Sequence, residues 1–203
     1  MTTKQNESLR RVRMPKIFTQ EDRDVLREKM LDTGLKLLES KRYKYISVEE
    51  VALEVGVAKG TFYNFFDSKE AFFYEIMQRI KEKNREPLKK LSPRASIDEI
   101  TECLYYRYTH VKTVYEYFTT EEIKQIVRKL PDGDVGNDSE SFAQELFGKL
   151  EKYNGKPEVI VSMFHILALA SSDNSIKGER GYKASMKQYC KALAEYIVNG
   201  DNV

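Results

Sequence analysis

The chain has 203 residues, of which 41% are hydrophobic and 33% are charged, enough for the core of one domain or of two small ones. Its net charge of +2 is uneven: residues 1–93 carry 20 Lys and Arg against 15 Asp and Glu, whereas residues 94–203 carry 14 against 17. No run approaches the roughly 18 consecutive apolar residues of a membrane-spanning helix and no apolar signal region opens the chain, so we expect a cytoplasmic protein with no membrane partner.

The first sixteen residues are polar and basic, and Arg10, Arg11, Arg13 and Lys16 stand against a single acidic residue, Glu7. We predict a flexible arm over residues 1–16, which can lie along phosphates or enter a minor groove. A solvated tail without any DNA contact explains this composition equally well.

The first helix is predicted from about Glu21 to Ser40, with Thr19 as its N-cap residue. Apolar residues recur along it at helical spacing and form the predicted buried stripe: Val25, Leu26, Met30, Leu31, Leu35 and Leu38.

The stretch 47–72 predicts two short helices joined by a tight turn, which is a helix-turn-helix. Ser47 and Glu50 form a capping box, and Gly56 ends the first helix because glycine enters the left-handed conformation without steric penalty. The second helix is expected to start near Ala58 or Lys59 and to run for about two turns. Asp67 and Glu70 predict a second capping box that opens a third helix.

In such a motif the N-terminal residues of the second helix lie nearest the bases of the major groove. Lysine reaches guanine edges or phosphates, glycine permits close backbone approach, hydroxyls donate to phosphate oxygens and asparagine reads adenine. A lysine at the start of the following helix is placed for a phosphate. The predicted DNA-binding residues are Ser47, Lys59, Gly60, Thr61, Tyr63, Asn64 and Lys69.

Val48–Phe72 resembles the DNA-binding segment of the TetR family of bacterial transcriptional regulators, also called TetR/AcrR-like. The family pattern runs Thr-Val, Ile-Ala, Gly-Val-Ser-Lys-Gly-Thr-Leu-Tyr, Tyr-x-x-Phe and Ser-Lys-Glu. This chain supplies Val48, Val51-Ala52, the run GVAKGTFY at 56–63, Phe66 and the run SKE at 68–70. The detailed match covers about residues 20–75. The resemblance implies a dimeric DNA-binding regulator whose rear domain holds a small-molecule pocket.

Three residues depart from the family pattern. Ala58 replaces a common serine and removes a hydroxyl that caps the recognition helix, at a cost of about 1 kcal/mol in helix stability. Phe65 stands where the family often has His or Tyr, which puts one phosphate contact in doubt. Arg42 stands where glycine often ends the first helix, so either it adopts a strained left-handed conformation or the turn differs.

The fold class predicted from these patterns is all-α, with an N-terminal three-helix helix-turn-helix domain and a C-terminal helical domain for ligand binding and dimerisation. We predict the DNA-binding domain over residues 17–80 and the rear domain over 94–203. Between them, 81–93 reads as a hinge, because the helix becomes strongly polar beyond Ile80 and then meets Pro87. The rear helices are predicted over 97–118, from Thr119 to near Leu130, and over 139–153, 157–170 and 182–199, with loops at 131–138 and 171–181.

The helix 157–170 is apolar nearly all round, which predicts burial on more than one side. Together with the last helix it offers a two-fold dimer surface, and the family resemblance implies dimerisation through the last two helices. A buried core pair in a monomer is the alternative. The predicted interface residues are Ile160, Met163, Phe164, Leu167, Tyr182, Met186, Tyr189, Leu193 and Tyr196.

Aromatic side chains are concentrated in the first rear helix. They either fill the core or line the ligand pocket that the family resemblance implies. The predicted pocket residues are Tyr105, Tyr108, His110, Tyr115, Phe142, Phe164 and His165.

Enzymatic activity is not expected, because the two histidines and two cysteines form no metal-ligand or catalytic constellation and no phosphate-binding loop is present. No cofactor or metal is expected, and Cys103 and Cys190 are interpreted as reduced thiols, with a redox sensor as the alternative. We therefore predict a homodimeric regulator that binds a palindromic DNA operator, a repressor relieved by an unidentified small molecule. The alternative is a DNA-binding protein of the same fold without an inducer, with an architectural or division-control role.

Overall fold

The computed structural model describes residues 19–131 and 138–201, and within these ranges the chain is helical without β-strands. The all-α prediction is confirmed. The predicted basic arm, 1–16, and most of the predicted loop 131–138 lie outside the described residues. In chain order the elements are α1 (Gln20–Ser40), a 3₁₀ turn (Tyr43–Tyr45), α2 (Val48–Val55), α3 (Lys59–Phe62), α4 (Lys69–Lys89), α5 (Ile97–Thr109), α6 (Val114–Tyr117), α7 (Thr120–Arg128), α8 (Asp138–Lys149), α9 (Pro157–Ser172), α10 (Asn174–Lys177) and α11 (Tyr182–Asn199). None of the described helices has an apolar stretch long enough to cross a membrane.

Helix α1 begins as predicted, because Thr19 and Asp22 form a reciprocal capping box. Its buried face carries Met30, Leu31 and Leu38. Val25 was predicted in that stripe but is 64% exposed. At 100° per residue Val25 is turned about 120° away from Leu31 and about 140° away from Leu38, so it lies outside the buried face.

The turn after α1 resolves the alternatives for Arg42. The helix ends at Ser40, and both Lys41 and Arg42 are extended, with φ of −151° and −72°. Among the described residues, positive φ occurs only at Gly56 and Gly200. The turn therefore differs from one closed by a left-handed residue, and it places the Tyr43 ring in the core.

The hydrophobic side chains form two clusters, and the first extends further along the chain than the front domain. It combines α1 to α4 with the segment 114–127, including Phe118, whose ring lies 6.1 Å from that of Tyr43 and 6.2 Å from that of Phe73. The second cluster joins the end of α4 to α5, α8, α9 and α11. Helices α6 and α7 are therefore packed on the front core, the part of the first cluster that α1 to α4 form.

The predicted continuous helix over 97–118 is wrong, because α5 ends at Thr109 and α6 starts at Val114. Thr113 caps α6 through a capping box with Glu116. The intervening residues include the β-branched Val111, and β-branched side chains lose rotamer freedom in a helix. The break lets residues 114–127 turn away from α5 and reach the first cluster.

Helix α4 runs without interruption through the predicted hinge at 81–93 and ends at Lys89, two residues after Pro87. Within this segment Asn84 and Leu88 are both 0% exposed, and Leu88 belongs to the second cluster. The proline lies in the last turn, where it removes a single helical hydrogen bond and helps to end the helix. The division of the chain into domains stays a prediction.

Because Phe118 is fully buried between the front helices, we expect Phe118→Ala to destabilise the protein by about 3–5 kcal/mol, the cost typical of deleting a buried aromatic ring. Urea unfolding followed by circular dichroism measures this change. Tyr106→Ala is the control, since Tyr106 is 47% exposed and its loss should cost far less. Equal losses in the two variants would contradict the packing of α6 and α7 on the front core.

Candidate nucleic-acid interface and the rear cavity

Helix α2 begins and ends as its sequence predicts. The Ser47 hydroxyl accepts from the backbone N–H of Glu50, while the Glu50 carboxylate pairs with Lys41 instead of closing the predicted capping box. Gly56 ends the helix at φ +84°, a conformation that a side chain would strain. The Ser47 oxygen is used as the cap, but its O–H remains able to donate to a phosphate.

Helix α3 is shorter than the predicted two turns, because it spans Lys59–Phe62 only. Ala58, at the N-cap, makes no side-chain hydrogen bond, and Gly60 lowers helix propensity within the single turn. The backbone continues through tighter bonds such as the one from Phe65 N–H to the Phe62 carbonyl, at 3.0 Å. The start at Lys59 matches the prediction.

A group of buried aromatic rings fixes this short helix to the front core. Phe62 and Phe66 are 0% and 4% exposed, and their rings lie 5.1 and 4.8 Å from the ring of Phe72 on α4. Since α3 has too few backbone hydrogen bonds to hold its own shape, its orientation comes from this packing.

The predicted contact residues of α3 lie on the side of the helix that faces away from these aromatic rings. Lys59, Gly60 and Asn64 are exposed, Tyr63 is 45% exposed and Thr61 is half-buried. A Cβ built on Gly60 would meet no atom within 4 Å, so the protein itself does not require glycine there. This face is polar, has one basic residue and allows close approach of a partner.

Lys59 is not free in this structure. Its ammonium is 2.5 Å from Glu49 in the first turn of α2, and both side chains are more than half exposed. The hydrogen bond from Lys59 holds the pKa of Glu49 below its usual value. A phosphate approaching Lys59 must therefore compete with a carboxylate that also repels it.

Lys69, which is predicted to contact a phosphate, makes contacts within the protein. Its ammonium donates to the Tyr43 carbonyl at 3.0 Å and lies 4.3 Å from the centre of the Tyr43 ring. Burial lowers its pKa. The side chain links the start of α4 to the 3₁₀ turn. This geometry favours a role in positioning α4 over a direct contact with a phosphate. The phosphate contact of Lys69 stays a prediction.

Basic and aromatic residues outside the predicted DNA-binding set lie near this face. Arg23 on α1 lies 5.0 Å over the ring of Phe65 and donates to the Asn64 carbonyl at 3.4 Å. Lys44 and Tyr45 are exposed in the 3₁₀ turn, with the ammonium 4.8 Å from the ring centre. Basic and aromatic residues alternate in the run KRYKY at 41–45, which was the available signal.

A small cavity of about 20 Å³ lies in the rear part, between the middle of α4 and α6, α7 and the start of α8. Its walls combine apolar and polar side chains from these elements: Tyr74, Met77, Gln78, Lys81, Val114, Tyr115, Ile123, Val127 and Asp138. A volume of this size holds about one water molecule.

The predicted pocket residues are not brought together around this cavity, and Tyr115 is the member of the set that lines it. Phe142 and Phe164 are fully buried and pack edge to face at 5.2 Å, and the Tyr108 hydroxyl donates to the Phe164 carbonyl. These rings fill the second cluster. His110 is exposed and stacks on Tyr106, Tyr105 is half-buried at its edge, and His165 is exposed on α9.

The predicted interface residues are also divided. Ile160, Phe164, Leu167, Met186 and Leu193 are at most 6% exposed and belong to the second cluster of the chain itself. Met163, Tyr182 and Tyr196 are half-buried, and Tyr189 is 61% exposed. The apolar residues that α9 does expose are Ile166, at 65%, and Leu169, at 51%.

Both cysteines are buried, and burial raises the pKa of each thiol to about 12. Thiols of this kind are almost wholly protonated at neutral pH and react slowly with oxidants. This geometry favours the interpretation as structural thiols. The described residues contain no group of His, Cys, Asp and Glu side chains that could hold a metal ion.

Residues 30–76 match the family model of bacterial regulatory proteins of the tetR family. The HTH-type transcriptional regulator YuxN of Bacillus subtilis (strain 168), itself uncharacterized, is 27% identical over 139 residues, which are 63% of this chain and 48% of that protein. The alignment therefore spans about half the length of this curated relative. The resemblance predicted from Val48–Phe72 is confirmed.

Solved structures share the fold over most of the chain. A regulator assigned to the TetR family from Mesorhizobium loti MAFF303099 is 18% identical with a TM-score of 0.59, covering 88% of this chain and 96% of that one. A transcriptional regulator of the TerR/AcrR family from Aquifex aeolicus VF5 is 23% identical with a TM-score of 0.53, covering 85% and 99%. The superantigen PfiT is 17% identical with a TM-score of 0.57, covering 87% and 97%. Because such different proteins share the fold, function has to be argued from the site.

The Lys59–Glu49 pair generates a prediction about DNA affinity. Glu49→Gln removes the competing carboxylate, so we expect several-fold tighter binding to DNA of any sequence. If Lys59 then gains a phosphate, the slope of log affinity against log salt should steepen by about 0.9. Fluorescence anisotropy at several salt concentrations measures both. Glu54→Gln makes the same charge change at an exposed α2 residue and serves as the control; an equal effect there would contradict a specific role of the pair.

Proposed function

We propose, on the basis of the TetR-family segment at residues 30–76, that this chain is a DNA-binding transcriptional regulator that acts as a homodimer. The observation that carries the proposal is the polar face of α3, which is exposed while the aromatic side of the same turn is packed into the front core. A short helix held in this way can be inserted into a major groove without losing its orientation.

Each residue of the face has a proposed role. Lys59 and Tyr63 contact phosphates, and Asn64 reads a base edge, since its side chain can make two hydrogen bonds to adenine. Gly60 leaves room for the DNA backbone, as the open space around its Cα indicates. The Ser47 hydroxyl and the exposed Lys44 extend the phosphate contacts to the preceding turn.

The homodimer is proposed to form through the outer faces of α9 and α11. Ile166, Leu169 and Tyr189 are large apolar side chains that the protomer leaves exposed, and a two-fold axis would bury them against their own copies. Dimerisation also places two recognition helices about one DNA turn apart, roughly 34–36 Å, which a palindrome requires.

The regulator is proposed to be a repressor whose operator binding is relieved by a small-molecule effector. The cavity lies between α4, α6 and α7, and all three of these helices also pack on the front core. A ligand that prefers the arrangement with the wrong helix spacing by about 1.4 kcal/mol lowers operator binding tenfold.

A second candidate function is DNA binding by the same fold without an effector, in an architectural or division-control role. The observation that favours it is that the space between α4, α6 and α7 is only about 20 Å³, whereas common ligand sites have roughly 300 Å³ or more. The larger spaces among the described residues, of about 370 to 480 Å³, are more open grooves at other places on the surface. The two functions differ in whether any small molecule changes DNA affinity.

Selection of bound fragments from genomic DNA tests DNA binding, and we expect enrichment of one palindromic sequence. On that sequence, Asn64→Ala should reduce the preference over a mismatched site by about 1–3 kcal/mol if Asn64 reads a base, while Lys59→Ala weakens binding to both sites equally. Asn174→Ala, at an exposed position on α10, is the control. No enriched sequence in the selection would contradict the proposal.

The dimer surface is tested by Leu169→Glu, a substitution at a side chain that is half exposed in the protomer, so the chain should still fold. We expect a shift from dimer to monomer, because the interface would otherwise bury an unpaired charge at a cost of several kcal/mol. Sedimentation velocity at micromolar concentration measures the shift. Val25→Glu, at an exposed apolar position on α1, should remain dimeric. A monomeric wild-type protein would show that the homodimer proposal is wrong.

A further inference from the structure

The basic residues of the front helices differ in whether they are free to meet a phosphate. Four of them pair with carboxylates: Arg27 with Glu75, Lys41 with Glu50, Lys59 with Glu49 and Arg79 with Glu28. Lys29 and Lys69 donate to the backbone carbonyls of Val55 and Tyr43. Phosphate contacts supply a large share of the affinity of DNA-binding proteins, so basic residues without such partners are the better candidates for these contacts.

Arg23, at the start of α1, has a different kind of partner. Its Nη2 donates to the backbone carbonyl of Asn64 at 3.4 Å, and its guanidinium carbon lies 5.0 Å from the ring centre of Phe65. Within residues 19–131 and 138–201 no carboxylate pairs with Arg23, and the residue is exposed. Its other N–H groups are therefore available to a partner from outside the protein.

The acidic residues next to Arg23 in the chain are turned away from this contact. Asp22 accepts from the backbone N–H and the hydroxyl of Thr19. Asp24 accepts from the side-chain amide of Gln20. At 100° per residue each carboxylate lies about 100° around α1 from Arg23. These residues lower the local positive potential, but they leave the guanidinium against the end of α3.

Phe65 supports the guanidinium and has no polar group of its own to offer a phosphate. The residue is half-buried and packs against the first cluster, so the front core fixes its position. A guanidinium within about 6 Å of a ring centre is attracted to the ring face, and its planar shape limits the freedom that it loses on binding. Arg27 lies in the same way 5.1 Å from the ring centre of Phe66, but Glu75 occupies its donors. Of these two arginines, Arg23 is the one left without a carboxylate.

We propose that Arg23 contacts a DNA phosphate at the C-terminal end of α3, with Phe65 as the positioning residue that holds the guanidinium. Asn64 is the proposed base reader, and since Arg23 binds its carbonyl, the guanidinium lies beside the base-reading residue. Lys59 stands at the other end of α3, so the two cations bracket the polar face. A guanidinium can donate two parallel hydrogen bonds to one phosphate. The inference rests on the proposed DNA binding and adds a contact to it.

The test is the salt dependence of binding to fluorescein-labelled duplex DNA of random sequence, measured on the full chain by fluorescence anisotropy. Loss of one phosphate contact reduces the slope of log affinity against log salt by about 0.9. We expect this reduction for Arg23→Gln. Arg23→Lys keeps the charge and should keep the slope. An unchanged slope in Arg23→Gln would overturn the proposal.

The matched control is Arg94→Gln, which removes an arginine whose side chain is 84% exposed in the rear part of the chain. It makes the same change of net charge and should leave the slope as in the wild-type protein. Both glutamine variants alter exposed residues, so we expect both to keep the wild-type Tm. An equal reduction of the slope in Arg94→Gln would show that net charge, and not a contact of Arg23, causes the effect.

A double-mutant cycle tests the positioning role of Phe65. Phe65→Leu keeps an apolar side chain and removes the ring face, so we expect several-fold weaker binding. Arg23→Gln should then cost less affinity in the Phe65→Leu protein than in the wild-type protein, because the guanidinium is no longer held. Phe147→Leu, at a half-buried ring packed on the second cluster, should leave the cost of Arg23→Gln unchanged. Additive losses in Phe65→Leu would refute the positioning role.

Selection of bound genomic fragments, carried out separately, distinguishes this proposal from the proposed function. A reduced slope in Arg23→Gln, in a protein that enriches no sequence, would support the phosphate contact and overturn the regulator. An enriched palindrome that wild-type protein and Arg23→Gln bind with equal slopes would support the regulator and overturn the contact. A wild-type protein that binds no duplex would contradict both.

Discussion

Helix α4 is the constraint on which the rest of the structure depends, because it is packed into both hydrophobic clusters. Phe72 and Phe73 lie in the first cluster and Leu88 in the second, all at most 1% exposed. At 1.5 Å per residue its 21 residues span about 30 Å as one hydrogen-bonded rod. A displacement of its rear end is therefore carried to Phe72, which contacts Phe62 in α3.

The segment of α6 and α7 forms a second connection between the two ends of the molecule. Phe118 packs against Tyr43 and Phe73, and Lys129 pairs with Glu70 at the start of α4. The rear cavity lies between this segment and α4. A change in the volume of this cavity has to move either α4 or the segment of α6 and α7, because packed interiors deform little. Both of these elements contact the front core.

Sequence patterns predicted the features that depend on local chemistry. Thr19 and Ser47 each cap the helix that follows them, and Gly56 adopts the left-handed conformation. These signals act within three or four residues, so a single sequence carries them. One start was displaced: Ser68, not Asp67, caps α4, because its hydroxyl accepts from the Ala71 N–H.

Features that depend on tertiary packing were not predicted. The sequence places Phe142, Phe164 and Tyr115 equally well in a core or around a cavity. The packing of α8 on α9 buries the two phenylalanines, whereas the packing of α6 beside α4 places Tyr115 at the cavity. The same limit applies to α9. Because apolar residues occupy nearly all of its positions, the sequence does not show which of them face outward, as Ile166 does. Lys69 looked free for a phosphate because its partner, the Tyr43 carbonyl, is 26 residues away.

The two polar features of the molecule differ in how much free energy they can supply. The Lys59–Glu49 pair is exposed, so solvent screening makes its contribution to folding stability small. Its larger effect is on the affinity of Lys59 for a phosphate. Asn84 and Arg107 are buried, and pairing one buried amide is worth about 1–3 kcal/mol. A coupling free energy of that size corresponds to about a 5- to 150-fold change in affinity at a second site. A contact that pairs Asn84 in only one arrangement of α4 therefore has enough free energy to favour that arrangement over another.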